Sequence, residues 1–286
     1  MKRALCLLLI TSAAFLMLEL GCGKEKVQPR NVPPSIERVS FTDENTNSAV
    51  DAGDKIIVAF DRHIIVAANL LTSSVFELSN PSDSFGTSPA ITQRSGHALT
   101  ITLGTSASLT VDGSNYITSQ IRIKATVPFG AIKDMTWGTS VTGGGTYNSI
   151  EGRLGYKAPR LLSAVYTDVD SSGGLTQGDT ITVTFTGNVS VFTAATYPPG
   201  QTFVLPVDWD GFGSGAYAQQ TAPNTVVITI GSGAKFAVSG LHQVGVYGID
   251  KPSGIDIAIK IANGRLTYDV GGGVKITVPP AVVDIQ

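Results

Sequence analysis

Two stretches of this chain carry the same twelve-residue pattern, 125 positions apart: 43–54 (DENTNSAVDAGD) and 168–179 (DVDSSGGLTQGD). Oxygen-bearing side chains stand at positions 1, 3, 5 and 12 of each, and an aliphatic residue, Val50 or Leu175, at position 8. This is the ligand spacing of a calcium loop. It constrains the fold because a loop repeated at such a distance implies that its supporting structure is repeated too.

The flanks bear this out. Pro34 matches Pro159, Phe41 matches Tyr166, and Ile56, Val58 and Phe60 match Ile181, Val183 and Phe185, all at the same offset. Between Phe60 and Phe76 the second copy gains two residues. Phe76 then matches Phe203, Phe85-Gly86 matches Phe212-Gly213, and Leu99, Ile101 and Leu103 match Val226, Ile228 and Ile230. The period is too long for a solenoid unit, so each copy is expected to be a self-contained domain with its own core.

The N-terminus reads as an export signal. Lys2 and Arg3 precede an apolar run of 15 residues, 4–18. That is shorter than the ~20 residues of a membrane-spanning helix. The run ends at Leu20-Gly21-Cys22-Gly23, which resembles the lipobox of bacterial lipoproteins, although Glu19 stands where such boxes usually carry leucine. The resemblance implies cleavage after residue 21, acylation of Cys22, and attachment to the cell envelope at the outer membrane. Residues 22–34, with Lys24, Lys26, Pro29, Pro33 and Pro34, read as a lipidated tether. Cys6 lies inside the signal, so Cys22 is the one thiol of a mature chain and no internal disulfide is expected.

The full chain carries 20 Lys and Arg against 22 Asp and Glu. Losing Lys2, Arg3 and Glu19 with the signal leaves 18 against 21, a formal charge of −3. No basic stripe is present, so a nucleic-acid partner is not expected.

Alternation marks the strands. In 180–186 apolar Ile181, Val183 and Phe185 face one side and threonines the other; 55–60 repeats this with Ile56, Val58 and Phe60. Further strands are expected at 99–103, 121–125, 225–230, 255–261 and 274–278, separated by Gly-, Ser-, Asn- and Pro-rich turns. The class is all-β, and short strands with such turns suggest sandwiches. The pattern Asp-x-Asn/Asp…Gly-Asp-x-Ile-x-Val-x-Phe in 34–60 and 159–185 resembles the first hairpin of the Ig-like repeat domains of bacterial surface proteins. The resemblance implies two tandem Ig-like β-sandwiches, 35–156 and 157–286, behind the signal and tether. It also implies a structural or adhesive role at the cell surface, with an envelope protein or a glycan as partner.

For a calcium ion, Asp43, Asn45, Asn47 and Asp54 would supply ligands in the first loop, with the Ala49 carbonyl, and Asp51 through water. In the second loop they are Asp168, Asp170, Ser172, the Gly174 carbonyl and Asp179. Gly173 occupies the sharp turn such loops need, where the first loop has Ser48. The same residue types also build hairpin turns without metal. His63, His97 and His242 form no catalytic motif, and no nucleophile elbow or phosphate loop is present, so no enzymatic activity is expected. The glycine-rich stretch 208–217 sets Asp208, Trp209, Asp210 and Tyr217 where they could stack on and hydrogen-bond a sugar, making carbohydrate binding the alternative to a purely structural role.

Overall fold

The structure is a computed structural model that describes residues 32–95, 97–135, 137–191, 196–205, 211–236, 256–259, 266–271, 274–279 and 282–285. The expected signal, Cys22 and most of the tether lie outside the described residues, as do Asp208, Trp209, Asp210 and His242. The protein is all-β. The first half contains β1 (Ile36–Thr42), β2 (Lys55–Phe60), β3 (Ile64–Val66), β4 (Phe76–Leu78), β5 (Ala90–Ser95), β6 (Ala98–Thr102), β7 (Gln120–Ile123), β8 (Ile132–Asp134) and β9 (Asn148–Glu151). The second contains β10 (Leu161–Thr167), β11 (Thr180–Phe185), β12 (Ser190–Val191), β13 (Phe203–Val204), β14 (Tyr217–Ala222) and β15 (Thr225–Thr229). It continues with β16 (Asp256–Ile259), β17 (Leu266–Asp269), β18 (Lys275–Thr277) and β19 (Val282–Asp284). Helix among the described residues is confined to single turns at Thr72–Val75 and Pro199–Gln201.

The sequence repeat is also a repeat of hydrogen bonding. The order β1-β2-β6-β5 in the first half corresponds to β10-β11-β15-β14 in the second. Ile56 pairs with Ile101 and Val58 with Leu99, as Ile181 pairs with Ile228 and Val183 with Val226. Even the irregularities recur: register shifts fall at Ile36/Arg38 and Leu161/Ser163, and at Gln93/Ser95 and Gln220/Ala222. Beside the second pair of shifts, the Gln93 amide donates to the Ile64 carbonyl and accepts the Val66 N–H. Gln220 makes the same two bonds to Val189 and Val191. Residues 64 and 66 correspond to 189 and 191 at an offset of 125, which narrows the two-residue gain to between Val66 and Phe76.

Alternation sets the cores. Ile181, Val183 and Phe185 are buried while Thr180, Thr182 and Thr184 are half-buried. In β2, Ile56, Val58 and Phe60 are buried, and Ile57 and Ala59 on the opposite face are buried as well. Both halves lie in one compact unit, Pro33–Gln286, yet their buried side chains form two clusters, one from Val39 to Leu154 and one from Ala158 to Ile285. Phe185 is among the largest fully buried side chains of the second. Phe185→Ala should therefore cost about 3–5 kcal/mol through lost burial and a residual cavity. Denaturant unfolding of the full chain measures this, and a loss below about 1 kcal/mol would contradict the packing described.

Candidate functional site

Each twelve-residue loop joins the first two strands of its half, and both take one backbone course. Position 4 has positive φ in each (Thr46 57°, Ser171 56°), as does position 11 (Gly53 98°, Gly178 101°). Position 6 is Gly173 at 76° in the second loop and Ser48 at 64° in the first. Ser48 thus takes the left-handed conformation glycine would take freely. At position 8, Val50 and Leu175 each pack against the core of their own half.

The aspartates at positions 1 and 12 hold this course by capping backbone N–H groups. Asp54 accepts the N–H of Glu44 through Oδ1 and of Asp51 through Oδ2, both at 3.0 Å. Asp179 does the same for Val169 at 3.0 Å and Thr176 at 2.6 Å. Asp43 Oδ2 accepts from Ser48 N at 3.0 Å, and Asp168 Oδ2 from Gly173 N at 2.8 Å. These are positions 2, 9 and 6 in both copies.

The interiors differ. In the second loop Asp170 accepts from Ser172 N at 3.0 Å and Thr176 Oγ1 at 2.9 Å. The Tyr166 hydroxyl lies 2.6 Å from Asp179 Oδ2 and 2.9 Å from the Gly174 carbonyl. Asp168, Asp170 and Asp179 each place a carboxylate oxygen within 4.8 Å of the others. Burial and the adjoining Asp179 push the Tyr166 hydroxyl above its ordinary pKa. Asp170 is held below its usual range by hydrogen bonds from Ser172 and Thr176.

In the first loop the donors and acceptors are exchanged. Asp51 stands where Thr176 does, and the Asn45 and Asn47 side-chain amides donate to it. Their carbonyl oxygens accept from Asn47 N and Ala49 N. Phe41, with no hydroxyl, replaces Tyr166. The linker 152–160 packs against this loop. Gly155 N donates to Asp43 Oδ2 at 2.8 Å, and Ala158 N to Thr42 Oγ1 at 3.1 Å. Asp43 is fully buried, and its Oδ1 has no hydrogen-bond partner. Glu44 anchors the linker by ion pairs to Lys157 (3.1 Å) and Arg160, and it also pairs with Lys55 of β2 (3.5 Å). Burial would raise its carboxyl, but Lys157, Arg160 and Lys55 together hold it below the usual range. At the start of the linker, Arg153 lies over Tyr116 and Tyr156 at 5.2 and 5.1 Å and donates to the Val270 carbonyl of the second half.

Of the sugar-contact candidates, Tyr217 opens β14 and is exposed. Phe212 packs edge-on to Phe236 in the second core, 6.1 Å between centroids, as its counterpart Phe85 is buried in the first. Asp83, the counterpart of Asp210, accepts from Thr110 and Ser119 and so builds its loop. His63 and His97, distant in sequence, meet edge-on at 4.1 Å.

No protein-family model and no curated protein matches the chain. Among solved structures it is similar to the N-terminal part of the bacterial S-layer protein SbsC, at 14% identity and a TM-score of 0.26. That match covers 89% of this chain and 44% of the other, so the chain spans less than half the length of its match. Among the described residues no helix is long and apolar enough to cross a membrane.

Burial pushes Asp54 up to about 6 from 3.8, and the Asp43 and Asp51 carboxylates push the same way, outweighing the two backbone N–H groups it accepts. Between those values the folded state keeps a proton the unfolded chain has lost, so the part of the stability that comes from Asp54 holding that proton falls as pH rises and is gone above about 6. His97, pushed down to about 3 by burial and by His63, has the opposite slope. The Asp54 contribution is therefore the difference between wild type and Asp54→Asn. Urea unfolding of both should show wild type losing stability relative to the variant as pH rises from 4 towards 6, and a constant difference would contradict the assignment.

Proposed function

We propose that the chain is a non-enzymatic lipoprotein of the cell envelope, anchored at Cys22 in the outer membrane. Residues 35–156 and 157–286 are tandem Ig-like β-sandwiches with a structural or adhesive role. The observation that carries this is where the end strands of each half run. β1 pairs with β2 and also, in parallel, with β9, through Val39–Ile150 and Ser40–Glu151. Arg38 donates to Glu151 across that pair at 3.1 Å. β10 likewise pairs with β11, and Ala164 bridges in parallel to Ile285. Tension entering at β1 and leaving at β9 pulls two parallel neighbours in opposite directions. Their hydrogen bonds and side-chain contacts are then loaded together instead of one after another. That suits a module held between an anchor and a distal attachment.

Pulling single full-length molecules should give two unfolding steps, each releasing roughly 400 Å of chain for about 120 residues. A single step of the summed length, or steps at forces no greater than those that unzip a hairpin, would overturn the reading.

Calcium in the second loop belongs to the same proposal. Three carboxylates converge there, the Tyr166 hydroxyl ties the position-7 carbonyl to position 12, and no ion pair of the described residues involves Asp168, Asp170 or Asp179. A divalent ion converts the mutual repulsion into attraction. At the dissociation constants of about 10⁻⁴–10⁻³ M common for extracellular sites, tenfold excess calcium should add about 1.4 kcal/mol. Asp170→Ala should remove that gain, and in chelator it should lower stability slightly, because Asp170 also accepts from Ser172 and Thr176. The first loop, where two of the ligand positions are the neutral Asn45 and Asn47 and their amides already donate to Asp51, should respond less. Identical thermal melts of the full chain with calcium and with chelator would overturn the metal site.

A further inference from the structure

We propose that the exposed face of the β3–β8 ribbon in the first half, carrying Ile65, Phe129, Met135 and Trp137, lies on the lipid surface to which the chain is tethered. This inference rests on the anchor reading of Cys22. In the ribbon, Ile64 pairs with Asp134, Ile65 with Lys133 and Val66 with Ile132. Ile64, Ile132 and Asp134 are buried, so Ile65 and Lys133 stand together on the outer face. Met135 continues the alternation and is exposed, its N–H donating to the His63 carbonyl at 2.9 Å. Trp137 sits in the turn that follows, its N–H donating to Asp134 Oδ1 at 2.6 Å, with its side chain 43% exposed. Phe129, on the turn before β8, is 91% exposed, with Lys133 Nζ 6.0 Å from its ring.

Four large apolar side chains on one small ribbon is the composition of an interfacial contact: aromatic groups at headgroup depth, and a lysine whose stem covers apolar surface while its ammonium reaches phosphate. The repeat shows that the fold does not require an apolar residue at position 65. Ile64 and Val66 correspond to Val189 and Val191, but the counterpart of exposed Ile65 is Ser190.

The chain path selects lipid as the occupant. Ser35 is bonded reciprocally to Asp61, its N–H to Asp61 Oδ1 at 2.9 Å and its carbonyl to Asp61 N at 3.1 Å. Asp61 is two residues from His63, which holds Met135. The tether therefore joins the fold at the end of the ribbon that carries Met135 and Trp137. Residues 22–34 reach at most about 45 Å. An acylated Cys22 thus keeps this face at high effective concentration beside the membrane, where even weak partition suffices.

The test uses full-length protein with Trp209→Phe, which leaves Trp137 as the one tryptophan of two. It is purified from membranes and reconstituted into vesicles of phosphatidylethanolamine and phosphatidylglycerol with brominated acyl chains. Trp137 emission should be quenched several-fold relative to unbrominated vesicles. Phe129→Ser with Met135→Ser, both at exposed positions, should relieve most of the quenching while intact mass still shows acyl chains on Cys22. Acylated protein without quenching overturns the lipid face and leaves the anchor standing. Quenching of a chain with no acyl mass upholds the face and overturns the anchor; neither signal overturns both. A Trp137 shielded in native membranes but unquenched in protein-free vesicles overturns lipid in favour of a protein partner.

Discussion

The carboxylate at the last position of each loop is the interaction on which the rest of each half depends. Asp54 and Asp179 are buried, and each takes two backbone N–H groups from the loop it closes. Left unpaired, each such N–H would cost about 1–3 kcal/mol. The cap therefore decides whether the loop holds its course, and with it where the second strand begins. That starting point fixes the pairing of Phe41 with Ile56 and of Tyr166 with Ile181. A slip by one residue would turn Ile56, Val58 and Phe60 out of the core and Lys55 into it.

The two halves meet the same need under different constraints. In the first, the linker lies on the loop, so Asp43 must serve Ser48 and Gly155 together. That tie buries Asp43, and its charge adds to the burial that makes Asp54 a weaker acid. Glu44 offsets the crowding by drawing Lys55, Lys157 and Arg160 to one carboxylate. In the second half, Asp168 is only half-buried and Asp170 is exposed. Solvent there screens Asp168 and Asp170, and the Tyr166 hydroxyl, standing where the first half has Phe41, hydrogen-bonds the buried Asp179.

Much of this was legible in the sequence because it is local or periodic. The offset of 125 gave the equivalence of the loops, and alternation gave the buried face of β11. Ser48 matched Gly173 in conformation although its residue type argued against it, since the caps on either side impose the turn. The Gln93 and Gln220 clamps were missed, yet the signal was present: both are glutamines at the later offset of 127. The parallel pairing of β1 with β9 and the docking of the linker on Glu44 join residues more than a hundred positions apart. No periodicity encodes such contacts. Strands of two or three residues, such as β3, β8 and β12, are likewise too short for alternation to mark them.

A duplicated fold carries its own control. Where both copies keep a residue type, as at Asp43 and Asp168, Asp54 and Asp179, or Gln93 and Gln220, a shared backbone requirement accounts for it. Positions that differ while their hydrogen bonds coincide are freed from that requirement. Phe41 against Tyr166 and Asp51 against Thr176 change the polarity inside the loops without altering their path. Ile65 against Ser190 changes the outer face of a ribbon whose inner face stays aliphatic. The folding problem is solved alike on both sides of each pair, so the differences inside the loops answer to surroundings: the linker at the first loop and open solvent at the second.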